Sequence, residues 1–201
     1  MYALVENNQI TKLINNPKSL VIGDVNYPAK IFSVWSQSEL NAIGIYEVIT
    51  DLTNKKDEAW YINTNESYAF ADNQVTRSWG TATAKAHADT LFTAQDETDG
   101  KGTEGEVKSR GLKYNLIQNI KKQAAGILKD TDWYVVRKAD AGTEVPSAIT
   151  THRAAVRTKC AEMETAITNA SDTPALETLY KYTTTDGVQS RPLGELPILE
   201  S

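Results

Sequence analysis

The side chains best suited to metal binding or nucleophilic catalysis in this 201-residue chain are two histidines and one cysteine. His87 and His152 lie in different segments, and neither belongs to a ligand-type spacing such as His-Glu-x-x-His. On a predicted helix, the residues four positions before and after His152 are Ala148 and Val156. Neither can bind a metal, so His152 has no second ligand beside it on the helix. Cys160 falls on the apolar stripe of the same helix, where we expect a buried and unreactive thiol. We therefore predict no metal site, no cofactor and no catalytic residue.

Pairs of carboxylates offer no better basis for catalysis. Glu162 and Glu164 stand two positions apart, as do Asp130 and Asp132, so on a helix the members of each pair point to different faces. General acid–base catalysis is not indicated, and no glycine-rich phosphate-binding motif occurs. A glycan- or wall-cleaving enzyme needs two carboxylates across a cleft, brought together from distant positions, and it is kept as an alternative. The expectation is a protein that is not an enzyme.

Composition and charge indicate which kinds of partner and which cellular compartment to expect. A net charge of -5 argues against a phosphate-binding face, so we expect no nucleic-acid partner. No stretch approaches the roughly 20 apolar residues of a membrane span, and no signal peptide is visible at the start. The single cysteine leaves no intramolecular disulfide. These features predict no membrane association and synthesis in a cytoplasm.

The elements that carry these side chains fall into four segments and predict an α+β fold. Residues 1–80 contain short apolar runs between turn residues, which is typical of a small antiparallel β domain. Residues 81–105 are alanine- and threonine-rich and then acidic, which predicts a weak helix and a flexible hinge. Residues 106–182 show helical periodicity and predict a helical hairpin-type domain. Residues 183–201 contain glycine and proline and predict an extended, irregular tail.

Local patterns refine the first two segments. Ser36 and Glu39 match a capping box that begins a short helix. Apolar runs at 59–62, 68–71 and 75–79 predict three consecutive strands of a meander. The aromatic residues along them suit a half-buried sheet better than a ligand platform. The hinge gathers acidic residues that we interpret as solvated, namely Asp96, Glu97, Asp99, Glu104 and Glu106.

The helical segment carries the predicted core. A helix from about Pro146 to Ala170 places apolar residues seven apart along one stripe, opposite an earlier amphipathic helix. Between the two helices, a connector contains Trp133, which we expect to be mostly buried where the helices meet. The predicted core residues are Trp133, Ile120, Ile127, Val156, Cys160, Met163 and Ile167.

The tail carries apolar residues without regular structure to bury them, which predicts a partner surface. We expect it to pack against a neighbouring copy or another protein. The candidate partner-binding residues are Leu193, Leu196, Ile198 and Leu199, with Val188 before them.

One motif resembles a known family. Thr131-Asp132-Trp133, followed by the Pro146 helix with Arg153-Ala154-Ala155-Val156-Arg157, is similar to small tail proteins of tailed bacteriophages. In tail-fibre assembly proteins and related accessory proteins, a Thr-Asp-Trp segment is typically followed by a proline and a Tyr-Arg-x-x-Leu-Arg helix. Here His152 stands at the tyrosine position and Val156 at the leucine position. The match covers residues 105–170.

The resemblance implies a non-enzymatic protein of the virion tail, associated with tail fibres. It implies tail-fibre proteins and other copies of this chain as partners, in a trimeric context because tail fibres are generally trimeric. The location implied is the virion tail, after synthesis in the cytoplasm of the host bacterium. A transient chaperone for fibre assembly, absent from the mature particle, is the alternative within the same family.

Overall fold

The computed structural model describes residues 1–199 and divides the chain into two units after Thr83. Strands dominate the first unit and helices the second, which confirms the α+β prediction. The predicted tail ends in Glu200 and Ser201, and these two residues lie outside the described part of the chain.

The first unit is built from short strands and two short helices. In chain order they are β1 (Tyr2–Glu6), β2 (Gln9–Ile14), β3 (Leu20–Ile22), β4 (Val25–Tyr27), α1 (Ile31–Val34), α2 (Gln37–Ala42), β5 (Ile45–Thr50), β6 (Tyr61–Ile62), β7 (Ser67–Ala71) and β8 (Gln74–Ser78).

A five-stranded sheet in the order β2-β1-β5-β8-β7 organises this unit. Strands β5 and β8 run parallel, with Val48 opposite Val75, whereas the other neighbours in the sheet are antiparallel. The prediction of a purely antiparallel domain is therefore wrong, and so is the three-strand meander, because β6 is not part of this sheet. Alternation of apolar residues does not distinguish parallel from antiparallel pairing. The long connection between β5 and β8 makes the parallel pairing possible.

Both faces of the sheet bury apolar side chains. Successive residues of β1 alternate between two clusters, as the strand period of two requires. One cluster, under α1 and α2, contains Leu4, Ile14, Leu20, Ile31, Leu40 and Ile45. The other contains Ala3, Val5 and Val75, with Tyr46 and Phe70 packed against them, their rings 4.8 Å apart. The sheet curls enough that its edge strands β2 and β7 lie against each other.

Short-range chemistry sets the ends of these elements. Asn7 and Asn8, both with positive φ, form the two-residue turn between β1 and β2. The Ser36–Glu39 capping box is confirmed: the Ser36 amide donates to Glu39 Oε2 at 2.7 Å, and the Glu39 amide donates to Ser36 Oγ. At Gly44, with φ +82°, a Cβ would lie 2.6 Å from the Val5 carbonyl oxygen, so glycine is required between α2 and β5.

Helices dominate the second unit. Strand β9 (Thr83–Ala84) spans the division, and the elements after it are β10 (Thr90–Leu91), α3 (Ala94–Thr98), β11 (Val107–Ser109), α4 (Leu112–Lys129), α5 (Asp132–Ala141), α6 (Ser147–Asn169), α7 (Thr173–Tyr180), β12 (Thr183–Thr185) and β13 (Val188–Ser190).

The alanine- and threonine-rich part of residues 81–105 contains strands β9 and β10 where a weak helix was predicted, and the short helix α3 begins only at Ala94. Strand β10 pairs with β11, and α3 lies between them. Asp96, predicted to be solvated, is buried: its carboxylate accepts hydrogen bonds from Lys108 Nζ at 2.8 Å and from the Thr93 amide and hydroxyl. Acidic composition alone does not show that one carboxylate of a run has three donors around it.

Helices α4 and α6 form the antiparallel pair at the centre of the second unit. Lys113 near the start of α4 donates to the Thr168 carbonyl near the end of α6 at 2.8 Å. Arg153 near the start of α6 donates to the Leu128 carbonyl near the end of α4, also at 2.8 Å. Ile120, Val156, Cys160, Met163 and Ile167 are buried as predicted, whereas Ile127 is only half-buried.

The predicted irregular tail contains regular structure and a buried anchor. Strands β12 and β13 form a hairpin in which all six residues are exposed. After it, Leu193 is buried at 2 % exposure, and its amide donates to the Leu179 carbonyl at the end of α7. The polypeptide therefore returns to its own helices after the hairpin.

The buried carboxylate of Asp96 predicts a pH dependence of stability. Its hydrogen bond from Lys108, together with those from Thr93, lowers the pKa of Asp96 from 3.8 to about 2. Because the folded pKa lies below the unfolded one, the stabilisation is complete above about pH 4 and is lost as the pH falls through about 2. Thermal melts of Asp96→Asn between these pH values should show a weaker pH dependence than the wild type. Asp140→Asn, on the exposed end of α5, is the control. An unchanged pH dependence in Asp96→Asn would contradict the assignment.

Candidate partner-binding surface

The side chain of Arg153 joins three helices at one point. Its Nη1 donates to the Leu128 carbonyl at 2.8 Å and to Thr131 Oγ1 at 2.7 Å, and its Nη2 contacts Asp132 Oδ1 at 2.8 Å. Arg153 and Thr131 are buried, at 8 % and 4 % exposure, while the Asp132 carboxylate is half-exposed. The guanidinium therefore caps the last turn of α4 and fixes the first turn of α5 from its position on α6.

The hydrogen bonds of Arg153, which we call the Arg153 junction, connect residues from both parts of the phage-tail-like motif. Arg153 follows Thr131 by 22 positions and Asp132 by 21, but it lies within hydrogen-bond distance of both in the fold. Sequence reasoning named Arg153 as part of the motif and missed this role. The signal was present, because an arginine on a buried face stays charged and needs acceptors nearby.

The tryptophan of the motif lies outside the core, so the prediction of a buried Trp133 is wrong. The connector is itself a helix, α5, and no residue within it is buried. Trp133 is 50 % exposed and Val136 is 65 % exposed. The aromatic ring is therefore not part of the core between the two long helices.

The aromatic residues of α5 form an ordered cluster at the surface. The rings of Trp133 and Tyr134 lie 3.8 Å apart, and the Arg137 guanidinium lies 4.7 Å and 5.3 Å from their centroids. Helical spacing of three and four residues places the guanidinium beside both rings. Tryptophan, tyrosine and arginine are the residues most enriched at energetically important interface positions. A cluster held in one arrangement loses little side-chain freedom when a partner binds.

A groove follows the inner side of α5. It has a volume of about 290 Å³ and is lined by Val135, Lys138, Glu144, Val145, Thr150, Arg153 and Arg157. A second cavity of about 310 Å³ lies between α4 and α6, and Arg157 lines both. Helix α5 thus borders a groove that carries charged groups.

The predicted tail residues do not form one surface. Leu193 is in the core of its own unit, which contradicts its assignment to a partner. Leu196 is half-buried beside Gly126 and Ile127 of α4. Ile198 and Leu199 are exposed, at 79 % and 45 %, and they stay candidates for partner binding.

The groups considered for chemistry are engaged in packing and ion pairs. His152 is buried and His87 half-buried, and within residues 1–199 no three histidine, cysteine or acidic side chains approach closely enough to hold a metal. Burial raises the pKa of the Cys160 thiol, with a further contribution from Glu164, which accepts its hydrogen bond. A thiol with a raised pKa is a poor nucleophile at neutral pH.

Three of the four paired carboxylates also have partners. Glu162 contacts Lys159, Glu164 contacts Lys121, and Asp132 contacts Arg153. Among the described helices, none is long and apolar enough to cross a membrane.

Comparisons of the chain with protein-family models, with curated proteins and with solved structures found no match. The phage-tail resemblance of the Thr131–Arg157 motif is therefore an expectation that these comparisons do not test.

The Arg153 junction predicts a specific loss of stability. Arg153→Met keeps the length of the side chain but removes the hydrogen bonds to Leu128, Thr131 and Asp132. We expect the free energy of unfolding in urea to fall by about 2 kcal/mol, as for hydrogen bonds to a charged group. Arg157→Met, one turn later and exposed, should change it by less than about 0.5 kcal/mol. Equal losses in the two variants would show that the junction is unimportant.

The position of Trp133 predicts a smaller effect than burial would give. Trp133→Ala should lower the free energy of unfolding by about 1 kcal/mol, since it removes one exposed ring and its contact with Arg137. Leu176→Ala, at a fully buried position of α7, should cost about 2–5 kcal/mol in the same urea titration. A loss for Trp133→Ala as large as that for Leu176→Ala would place the ring in the core.

Proposed function

We propose that this protein is a non-enzymatic structural or interaction protein of a phage virion tail, associated with tail fibres. Its partners in this proposal are tail-fibre proteins and further copies of the chain, in a trimeric context. The proposal rests on the resemblance of the Thr131–Arg157 motif and on one geometric observation. That observation is the exposure of Trp133 on a helix that buries none of its residues.

The geometry supports binding because the motif separates into two parts with different surroundings. Thr131, Asp132 and Arg153 satisfy one another and need no partner. Trp133 and Val136 are exposed, although burying a large apolar side chain would contribute about 1.5–3 kcal/mol. A partner that covers α5 would recover this free energy, and it would do so on a helix already fixed in position.

A transient assembly chaperone for the same fibres is the second candidate, and the exposed α5 suits it equally. The two candidates differ in what a mature particle contains. Quantitative mass spectrometry of purified particles should find the chain at fixed copy number, in a multiple of three, if it is a component of the tail. Absence from particles, together with binding to fibre protein before assembly, would support the chaperone. Absence from both would contradict the phage assignment.

The α5 surface predicts a charge-sensitive interaction. Val136→Asp places a carboxylate in the apolar surface and should weaken binding to the fibre protein by about 2 kcal/mol, measured by co-purification and then titration calorimetry. Val34→Asp is a matched control, because Val34 is a helical valine of similar exposure in the first unit. Both variants should melt at nearly the wild-type temperature. Equal binding by Val136→Asp and wild type would remove α5 from the interface.

A further inference from the structure

We propose that the groove between α5 and α6 binds an acidic, partly apolar segment of a partner protein, with Arg157 as the contact for a carboxylate. The inference rests on the proposed function only in taking the α5 surface as partner-binding, and it holds for any protein partner. We call the site the Arg157 groove and define it by Val135, Lys138, Glu144, Val145, Thr150 and Arg157.

Among the three cations that line the groove, Lys138, Arg153 and Arg157, Arg157 is the one whose charge is not neutralised by a carboxylate. Lys138 contacts Glu144 at 2.6 Å, and Lys121 in the adjoining cavity contacts Glu164 at 3.0 Å. Arg153 contacts Asp132. Across residues 1–199 no carboxylate lies within ion-pair distance of Arg157, whose guanidinium makes one long contact, 3.5 Å, to the Arg153 carbonyl. Both neighbouring acids are already bound to lysines, so a carboxylate from outside meets an available guanidinium.

The charge distribution along the chain favours the same kind of partner. Residues 112–159, which form α4, α5 and the first half of α6, contain nine Lys and Arg against four Asp and Glu. The remaining residues contain twelve against twenty-two. A net charge of +5 therefore lies in the segment that builds the groove, within a chain whose total is -5. This asymmetry attracts an acidic surface to the groove and repels it from the rest of the chain.

The walls of the groove favour a polypeptide over a nucleic acid. Val135 of α5 and Val145 of the connection between α5 and α6 line the groove, and Ala124, Ala125 and Leu128 line the adjoining cavity. These side chains offer apolar contacts at the spacing of one helix turn. A nucleic acid gains its affinity from many simultaneous phosphate contacts, whereas this site offers one available guanidinium. An arginine between apolar walls suits an acidic side chain flanked by aliphatic ones.

The test uses the full chain and three synthetic amphipathic peptides. In the first, leucines at helical spacing alternate with glutamates; in the others, glutamine or lysine replaces every glutamate. Binding is followed by fluorescence anisotropy of the labelled peptide. The glutamate peptide should bind about tenfold more tightly than the glutamine peptide at low salt, and the difference should shrink as salt rises.

Substitutions at Arg157 separate a contact from a structural role. Arg157→Gln should weaken binding of the glutamate peptide about tenfold, and Arg157→Glu should reverse the preference so that the lysine peptide binds more tightly. Lys122→Gln is the matched control, because Lys122 is exposed on α4 and lines neither cavity. Circular dichroism melts establish that all variants fold.

Each result decides the proposal. Preference for the glutamate peptide with loss in Arg157→Gln and reversal in Arg157→Glu supports it. Equal affinity for all peptides, no binding of any peptide, or tighter binding of a short DNA duplex overturns it. The peptides contain no phage sequence, so their binding tests the Arg157 groove independently of the phage-tail assignment. Peptide binding can support the groove even if particle analysis contradicts the phage-tail assignment. Particle analysis can likewise support the phage-tail assignment even if no peptide binds.

Discussion

The second unit depends on the buried guanidinium of Arg153, which needs hydrogen-bond acceptors around it. The Arg153 guanidinium presents several N–H donors and no acceptor, so its place between α4 and α6 requires oxygens on several sides. The chain supplies them from the final turn of α4 and the first residues of α5. The Arg153 side chain thereby fixes where α4 ends and where α5 begins, and it holds both helices against α6.

Apolar packing and hydrogen bonds stabilise different parts of the α4–α6 pair. The centre of the pair is held by side chains such as Val156, Met163 and Ile167, which are almost completely buried. Its two ends are held by cations that reach across to carbonyls of the other helix, Lys113 at one end and Arg153 at the other. Hydrophobic burial is not directional, so it brings the helices together without setting their register. The hydrogen bonds at the ends supply that register.

Sequence periodicity predicted the helices whose buried residues recur at regular spacing. It did not predict the burial of residues whose environment depends on one or two individual contacts. The seven-residue spacing of Ile149, Val156, Met163 and Ala170 identified α6 and its buried stripe. Ser36 with Glu39 identified the start of α2. The burial of Asp96 and the exposure of Trp133 were not accessible in the same way. Each depends on which individual side chains meet in the fold, and composition does not encode those contacts. The parallel pairing of β5 and β8 was missed for a similar reason, since apolar alternation is the same for both strand directions.

Helix α5 differs from its neighbours in that none of its side chains is part of the hydrophobic core. Substitutions along it therefore act on folding only weakly, whereas substitutions at Thr131 or Arg153 disturb the frame that holds it. Such a separation lets the exposed side of α5 change from one lineage to another without loss of the fold. A protein that must follow a rapidly changing partner gains from this arrangement, because recognition can diverge on one helix while the scaffold stays the same.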